Sequence, residues 1–233
     1  MAFRHLAFVA ALIGLAAPAA AQSVPASSTP FNWSGLYFGV SGGYGWGDNT
    51  YSFDQPPLMF ALAPPPLSVG VGMDGGLIGG TVGFNWQNGA WVLGVESDFS
   101  AANLSGRKLS DGVPPCFEEG CTAGVDWLAT ERIRIGHAVG NWLPFVTAGV
   151  AIGQVKGTAD LGACDVVGSC KFDETRVGYT VGGGTEVALG GGWSGKVEAL
   201  YVNLGTPAFN DKAVKADDVD FGIVRLGVNY RLP

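Results

Sequence analysis

The stretch Trp193-Ser194-Gly195-Lys196-Val197-Glu198-Ala199-Leu200-Tyr201 changes character at nearly every step. Trp193, Val197, Ala199 and Tyr201 share one face, and Ser194, Lys196 and Glu198 share the other. Side chains of an extended chain point alternately to opposite sides, so this is a strand with one apolar and one polar face. Alternation alone fits a soluble sheet and a membrane-spanning sheet equally well. The rest of the chain decides between them.

Outward from this segment the same period of two recurs, with no comparable helical period. Strands are predicted at 35–46, 75–86, 90–100, 125–137, 144–155, 175–189, 193–203 and 219–232. In the fourth, Trp127, Ala129, Ile133 and Ile135 oppose Thr130, Arg132 and Arg134. In the last, Val224, Leu226, Val228 and Tyr230 oppose Arg225, Asn229 and Arg231. The gaps alternate in length. Residues 87–90, 139–143 and 190–192 are short, and Asn88-Gly89 is a strong hairpin signal. Residues 47–74, 101–124, 157–174 and 204–218 are long. An even number of strands of about ten residues, joined by alternately short and long connections, is the pattern of an outer-membrane barrel.

Composition narrows the class. The chain has 233 residues, 47% hydrophobic and 14% charged, with a formal net charge of −7. No basic footprint for nucleic acid exists. The 7 Trp, 6 Tyr and 13 Phe argue against disorder. No apolar run is long enough for a transmembrane helix. At the start, Arg4 and His5 precede an apolar run from Leu6 to Ala17 and the small residues Ala19-Ala20-Ala21. Residues 1–21 are read as a secretory signal peptide, 22–32 as a Ser/Pro-rich lead-in, and 33–233 as one barrel domain.

Which face is wet decides the rest. The polar face is rich in Gly, Ser and Thr and carries few charges of both signs. They are Arg132, Arg134, Arg176, Lys196 and Arg225 against Glu96, Asp98, Glu186 and Glu198. On a lipid face each basic residue costs about 2–4 kcal/mol at the midplane. Five of them would cancel a whole domain's net stability of about 5–15 kcal/mol. They are therefore predicted to face a closed lumen and to pair there. The tryptophans fall at strand ends: Trp33, Trp86, Trp91, Trp142 and Trp193 at the short-turn end, Trp46 and Trp127 at the long-gap end. That is the distribution of an aromatic girdle at membrane–water boundaries.

At this point the sequence resembles a family, the porin-like small outer-membrane β-barrel proteins of alphaproteobacteria, related to the membrane domain of outer-membrane protein A. The matching stretches are Trp33-Ser34-Gly35-Leu36-Tyr37, Thr130-Glu131-Arg132-Ile133-Arg134-Ile135-Gly136, Gly178-Tyr179-Thr180-Val181-Gly182 through Glu186, and Val224-Arg225-Leu226-Gly227-Val228-Asn229-Tyr230-Arg231. The resemblance implies an all-β, eight-stranded antiparallel up-and-down transmembrane barrel in the Gram-negative outer membrane, with the long loops extracellular. Two departures stand out. The usual terminal Phe is replaced by Leu232-Pro233, which leaves open how well the barrel-assembly machinery inserts the chain. Glu131 falls on the lipid face, which calls for a bulge there or a neighbour within its reach.

The cysteines form two local pairs in long gaps, Cys116 with Cys121 and Cys164 with Cys170, predicted as disulfides in an oxidising compartment. A zinc site is a weak rival, since neither gap holds a His. Gly39-Val40-Ser41-Gly42-Gly43 spells a nucleophile elbow but lies inside a strand, and the one His beyond the leader, His137, falls at the other end of the barrel. Gly70-Val71-Gly72-Met73-Asp74-Gly75 spells a dinucleotide loop but precedes a strand, not a helix. No catalytic residue, cofactor or metal site is expected. The lumen charges read as a salt-bridge plug, with an ion path as the rival. The predicted function is structural and interfacial. Acidic loops (Asp48, Asp54, Asp111, Glu118, Glu119, Asp160, Asp165, Asp173, Glu174, Asp211, Asp217, Asp218) would face lipopolysaccharide, with divalent cations as the bridge. A narrow channel, a haemin-binding surface protein and a soluble ligand-binding barrel are the alternatives.

Overall fold

The computed structural model describes residues 31–53, 67–109, 120–164, 168–208 and 214–233. The expected leader and most of the lead-in lie outside them. The described residues form β1 (Gly35–Phe53), β2 (Leu67–Asn88), β3 (Trp91–Lys108), β4 (Cys121–His137), β5 (Trp142–Cys164), β6 (Gly168–Gly190), β7 (Trp193–Asn203), β8 (Val214–Ala216) and β9 (Asp220–Arg231). The strands pair antiparallel in sequence order, and β1 pairs with both β2 and β9, so the sheet closes on itself. Short β8 pairs with Tyr51–Phe53 at the far end of β1, continuing the line on which β9 pairs with Tyr37–Asp48. β8 and β9 are one stave interrupted at 217–219, and the ring has eight staves among the described residues. Closure leaves no long unpaired edge in the spanning region, which is what a lipid environment demands of a sheet.

The short connections are tight for a local reason. Asn88 pairs with Trp91 across the β2–β3 turn, and Gly89 there has φ +60°. A β-carbon strains that left-handed conformation, so glycine sets the hairpin.

The strands run well past their predicted ends on the long-gap side. β1 reaches Phe53, β3 reaches Lys108, β5 reaches Cys164, and β6 begins at Gly168. Much of the first three predicted long loops is therefore wall, while the fourth, 204–218, holds only the short β8 among its described residues. The reason is a change of phase, clearest in β5. Its outward residues are Val146, Ala148, Val150 and Ile152, then Gln154, Lys156 and Thr158. Its inward residues are Thr147 and Gly149, then Ala151, Gly153 and Val155. The apolar and polar faces exchange sides near residue 153. The same exchange occurs around the ring. Met73, Leu77, Leu104, Val125, Leu128, Leu200, Phe221 and Ile223 pack inward in one buried cluster above the charged positions. Two irregularities, between Ala101 and Leu104 and between Val125 and Trp127, lie at this level, where bulges re-aim side chains.

The barrel is thus built in two storeys. The lower storey is inside-out: Ile78 is 72% exposed on its outer wall, while Arg134 inside is 1% exposed. The upper storey has the ordinary soluble arrangement, with apolar side chains inside, where burial from water favours them. The outward apolar run Trp142–Ile152 spans eleven residues. At about 3.4 Å per residue and a tilt of about 40°, that is about 26 Å of height, which matches the apolar band of an outer-membrane barrel.

Candidate functional site

The interior of the lower storey is a belt of charge. It is assembled from alternate residues of β3 (Glu96, Asp98), β4 (Arg132, Arg134), β6 (Glu186), β7 (Lys196, Glu198) and β9 (Arg225), all buried. The guanidinium of Arg132 donates to Glu96, to Asp98 at 2.8 Å and to Glu198 at 2.9 Å. Arg134 meets Glu186 at 2.8 Å and Glu96 at 3.4 Å. Lys196 lies 3.0 Å from Glu96 and 3.1 Å from Glu198. Arg225 meets both Asp98 and Glu198 at 2.6 Å. Four cations face four carboxylates, so the belt is neutral. Buried charges persist only when paired and hydrogen-bonded. Hydroxyls and an amide add further hydrogen bonds to the carboxylates, while Arg134 Nε and Arg225 Nη2 are buried without a hydrogen-bond partner among the described residues. Tyr37 donates to Glu96 at 2.7 Å, Thr130 to Asp98 at 2.7 Å, Ser194 to Glu186 at 2.5 Å and Asn229 to Glu186 at 2.9 Å. The Arg134 guanidinium also lies 4.2 Å from the Phe145 ring centroid.

Glycine makes the room. Along the hydrogen-bonding direction, Gly83, Glu96, Arg132 and Gly149 form one row across four strands. Gly184, Glu198, Arg225 and Gly43 form a second. Each row flanks an acid–arginine pair with residues that lack a β-carbon. A β-carbon on Gly43 would come within 2.6 Å of the Arg225 β-carbon, and one on Gly149 within 2.7 Å of the Arg132 α-carbon. Long side chains can cross an eight-stranded lumen only when their lateral neighbours are this small.

The belt is covered on both sides. Above it stands the apolar cluster of the upper storey. There the Tyr51 hydroxyl donates to the Thr122 carbonyl at 2.8 Å, and burial pushes its phenol well above the usual range. Below it, Trp33, Val92 and Leu143 form a second apolar cluster with Phe31, Ala138 and Ala188 packed against it.

Eight of the nine predicted lumen charges are in the belt. Arg176 is not: it sits in the upper storey, half-buried, 3.8 Å from Glu174. β7 ends at Asn203, opposite Tyr179, so at the level of Arg176 no strand among the described residues follows on that side, and the guanidinium lies beside Gly205 instead of in the belt. Trp33 is also a correction. It is 2% exposed, inside the short-turn mouth and away from lipid. Gly35 has φ +125°, and Ser34 and the Trp33 amide bond to Gln87, which turns the chain under the barrel before β1 begins. Trp46, Trp86, Trp91, Trp142 and Trp193 are exposed. Trp127 is half-buried, stacked on Phe99 and donating to Gln154 at 2.9 Å. Glu131 does face outward. No register shift occurs beside it, and it accepts from the Ser97 hydroxyl on the neighbouring strand at 2.5 Å. Belt partners that the sequence reading had left out, Tyr37 and Asn229 among them, carry the same strand parity as the charges.

Cys121 opens β4, buried and disulfide-bonded. Its expected partner Cys116, and the side chains of Cys164 and Cys170, lie outside the described residues. Among the acidic loop positions, Asp54, Asp111, Glu118, Glu119, Asp165 and Asp211 lie outside them too. Two of the rest are structural ties: Asp218 accepts from Thr206 at 2.6 Å, and Glu174 from the Ala208 amide at 2.8 Å.

The sequence has relatives among known proteins. The family model described as an outer membrane protein beta-barrel domain matches residues 7–231. A 31 kDa outer-membrane immunogenic protein of Brucella melitensis is 34% identical over 242 aligned positions, covering 97% of this chain and 98% of the relative. A 22 kDa outer membrane protein of Rhizobium leguminosarum is 29% identical, covering 86% of this chain and 78% of the relative. The outer membrane protein OprG of Pseudomonas aeruginosa, a solved structure, covers 85% of this chain and 97% of its own, at 14% identity and a TM-score of 0.48.

Proposed function

The chain belongs to the outer membrane protein β-barrel family, and from that membership we propose that it serves as a sealed structural barrel of the Gram-negative outer membrane, presenting a surface and performing no chemistry. The observation that carries this reading is the neutral belt. Its side chains meet across the full width of the lumen: Lys196 on β7 reaches Glu96 on β3, the diametrically opposite stave. A conducting path needs mobile counter-ions and water along its axis. Here the fixed charges already satisfy one another, between two apolar layers. Such an interior rigidifies a barrel without opening it.

At its outer end the protein would interact with neighbouring lipopolysaccharide. Acidic residues such as Asp48, on the upper part of β1, and Asp217, in the break between β8 and β9, would share divalent cations with lipid phosphates. Planar-bilayer recording tests the sealed-barrel reading. The purified barrel at high protein load is expected to leave the baseline flat, and reproducible discrete current steps would overturn it. Vesicle co-sedimentation with lipopolysaccharide, with and without Mg²⁺, tests the cation bridge. Binding indifferent to Mg²⁺ counts against that part alone.

A further inference from the structure

Just above the aromatic boundary, two groups of outward charged side chains stand out among the described residues. Asp220, Asp48 and Asp74 occupy β9, β1 and β2. Arg107, Lys156 and Lys171 occupy β3, β5 and β6. With Asp126 and Asp173 beside these three cations, the face carries a net charge of one positive unit among its described residues.

Its geometry is regular. Arg107, Thr122, Thr158 and Lys171 form one row across β3, β4, β5 and β6. At about 4.8 Å per strand, the two cations start about 14 Å apart. Between them the hydroxyls of Thr122 and Thr158 lie 2.7 Å from each other. One row nearer the membrane, the Lys156 side chain passes over Gly124, where a β-carbon would sit 3.6 Å from its Cε. These residues line a half-open hollow of about 520 Å³ on the outer wall. Two carboxylates share the face. Asp126 meets Lys156 at 2.6 Å, with both side chains half-exposed, the kind of surface pair that rearranges at little cost. Asp173 is turned toward the aromatic boundary, accepting from Gln154, which in turn accepts from the Trp127 indole.

Height decides the occupant. Phe99 and Trp127 mark the top of the lipid-facing wall, and the hollow begins two residues beyond Gln154 on β5. That is the level at which the outer leaflet places its headgroups. A cationic, hydroxyl-floored hollow facing sideways at that level has a membrane lipid as its neighbour, and the outer leaflet of this membrane carries phosphorylated sugar headgroups. We propose that Arg107, Lys156 and Lys171 bind the phosphates of a lipopolysaccharide molecule directly, while the hydroxyl pair of Thr122 and Thr158, one proton of which is spent between them, donates its other proton to the sugar-phosphate portion. This deepens the surface reading above by naming a site, and it differs from it in needing no divalent cation.

The test uses the full barrel in detergent micelles, with rough lipopolysaccharide as the probe. Wild type is compared with R107Q/K156Q/K171Q and with D48N/D74N/D220N, all in EDTA. Binding by wild type, about tenfold or more weakened in the first variant and retained in the second, is the expected result. Monovalent salt should weaken it. Equal binding by the first variant overturns the proposal. So does loss of wild-type binding in EDTA, which instead favours the acidic-loop bridge. Full competition by millimolar inorganic phosphate would make the hollow a general anion site and overturn the lipid assignment. Heat-modifiable gel mobility establishes that each variant is folded. Should the triple variant fail to fold, K156Q alone carries the comparison, with a smaller loss of about threefold expected and none overturning it.

Discussion

Glu96 and Lys196 meet at 3.0 Å from opposite walls of the ring, one on β3 and the other on β7, four staves away in either direction. Glu96 also accepts from Arg132, Arg134 and Tyr37, so one carboxylate on the axis ties four other residues together. E96Q leaves three buried cations with one fewer counter-charge. Breaking a buried pair from one side costs about 3–5 kcal/mol. Urea unfolding of the barrel in lipid vesicles should show a loss of that order for E96Q. The double variant E96Q/K196M should lose less than the sum of its singles, because the charge and its counter-charge leave together. Additive losses would mean that the pair does not interact.

The glycine rows make a sharper steric prediction. Gly184 stands beside Glu198, and a β-carbon there would approach the Glu198 β-carbon to 2.8 Å. Gly42 faces outward, with only the Leu77 carbonyl at 3.7 Å from its would-be β-carbon. G184A should displace the Glu198–Arg225 pair and cost about 1–3 kcal/mol, the usual range for overpacking. G42A should change stability by under about 0.5 kcal/mol. The same urea titration checks both, and equal effects would remove the steric role assigned to the rows.

Strand parity carried most of the belt into view. Eight charges follow from alternation plus the cost of putting cations into lipid, whereas the two glycine-flanked rows need the strand register. Height along the strand did not follow from it. Arg176 has the right parity but stands above the belt, where β7 has ended. The upper storey stayed hidden for a related reason. When the apolar set moves from one series of alternate positions to the other, as from even to odd in β5, a phase change within one strand reads as a strand followed by a loop. Trp33 escaped because one glycine, Gly35 at φ +125°, redirects the chain just before the first strand. Backbone conformation at a single residue leaves no periodic trace.

The phase change itself is testable with one substitution moved along β5. Val150 faces lipid in the lower storey, and Gln154 faces outward at the start of the upper one. V150K, inside the apolar run but above its middle, should cost about 1–2 kcal/mol in vesicles, and Q154K about 0–1 kcal/mol near the interface. Val155, buried inside the upper storey, completes the series: V155K should be strongly destabilising although its neighbour Lys156 is a natural lysine on the opposite face. Similar costs at Val150 and Gln154 would mean that lipid extends past residue 154 and that the two-storey description is wrong.

Trp33 and Trp142 lie at the same end of the barrel but on opposite sides of its wall, 2% and 54% exposed. Two single-tryptophan variants, keeping either residue and replacing the other tryptophans with Phe, separate these environments by fluorescence. In vesicles of brominated phosphatidylcholine the Trp142 emission should be strongly quenched, because its indole touches acyl chains. Trp33, packed against Val92 and Leu143, should keep most of its intensity. It should also emit at a shorter wavelength than an indole in water, since its surroundings are apolar. Comparable quenching of the two would place Trp33 in the lipid-facing girdle and undo the plug at the turn end of the lumen.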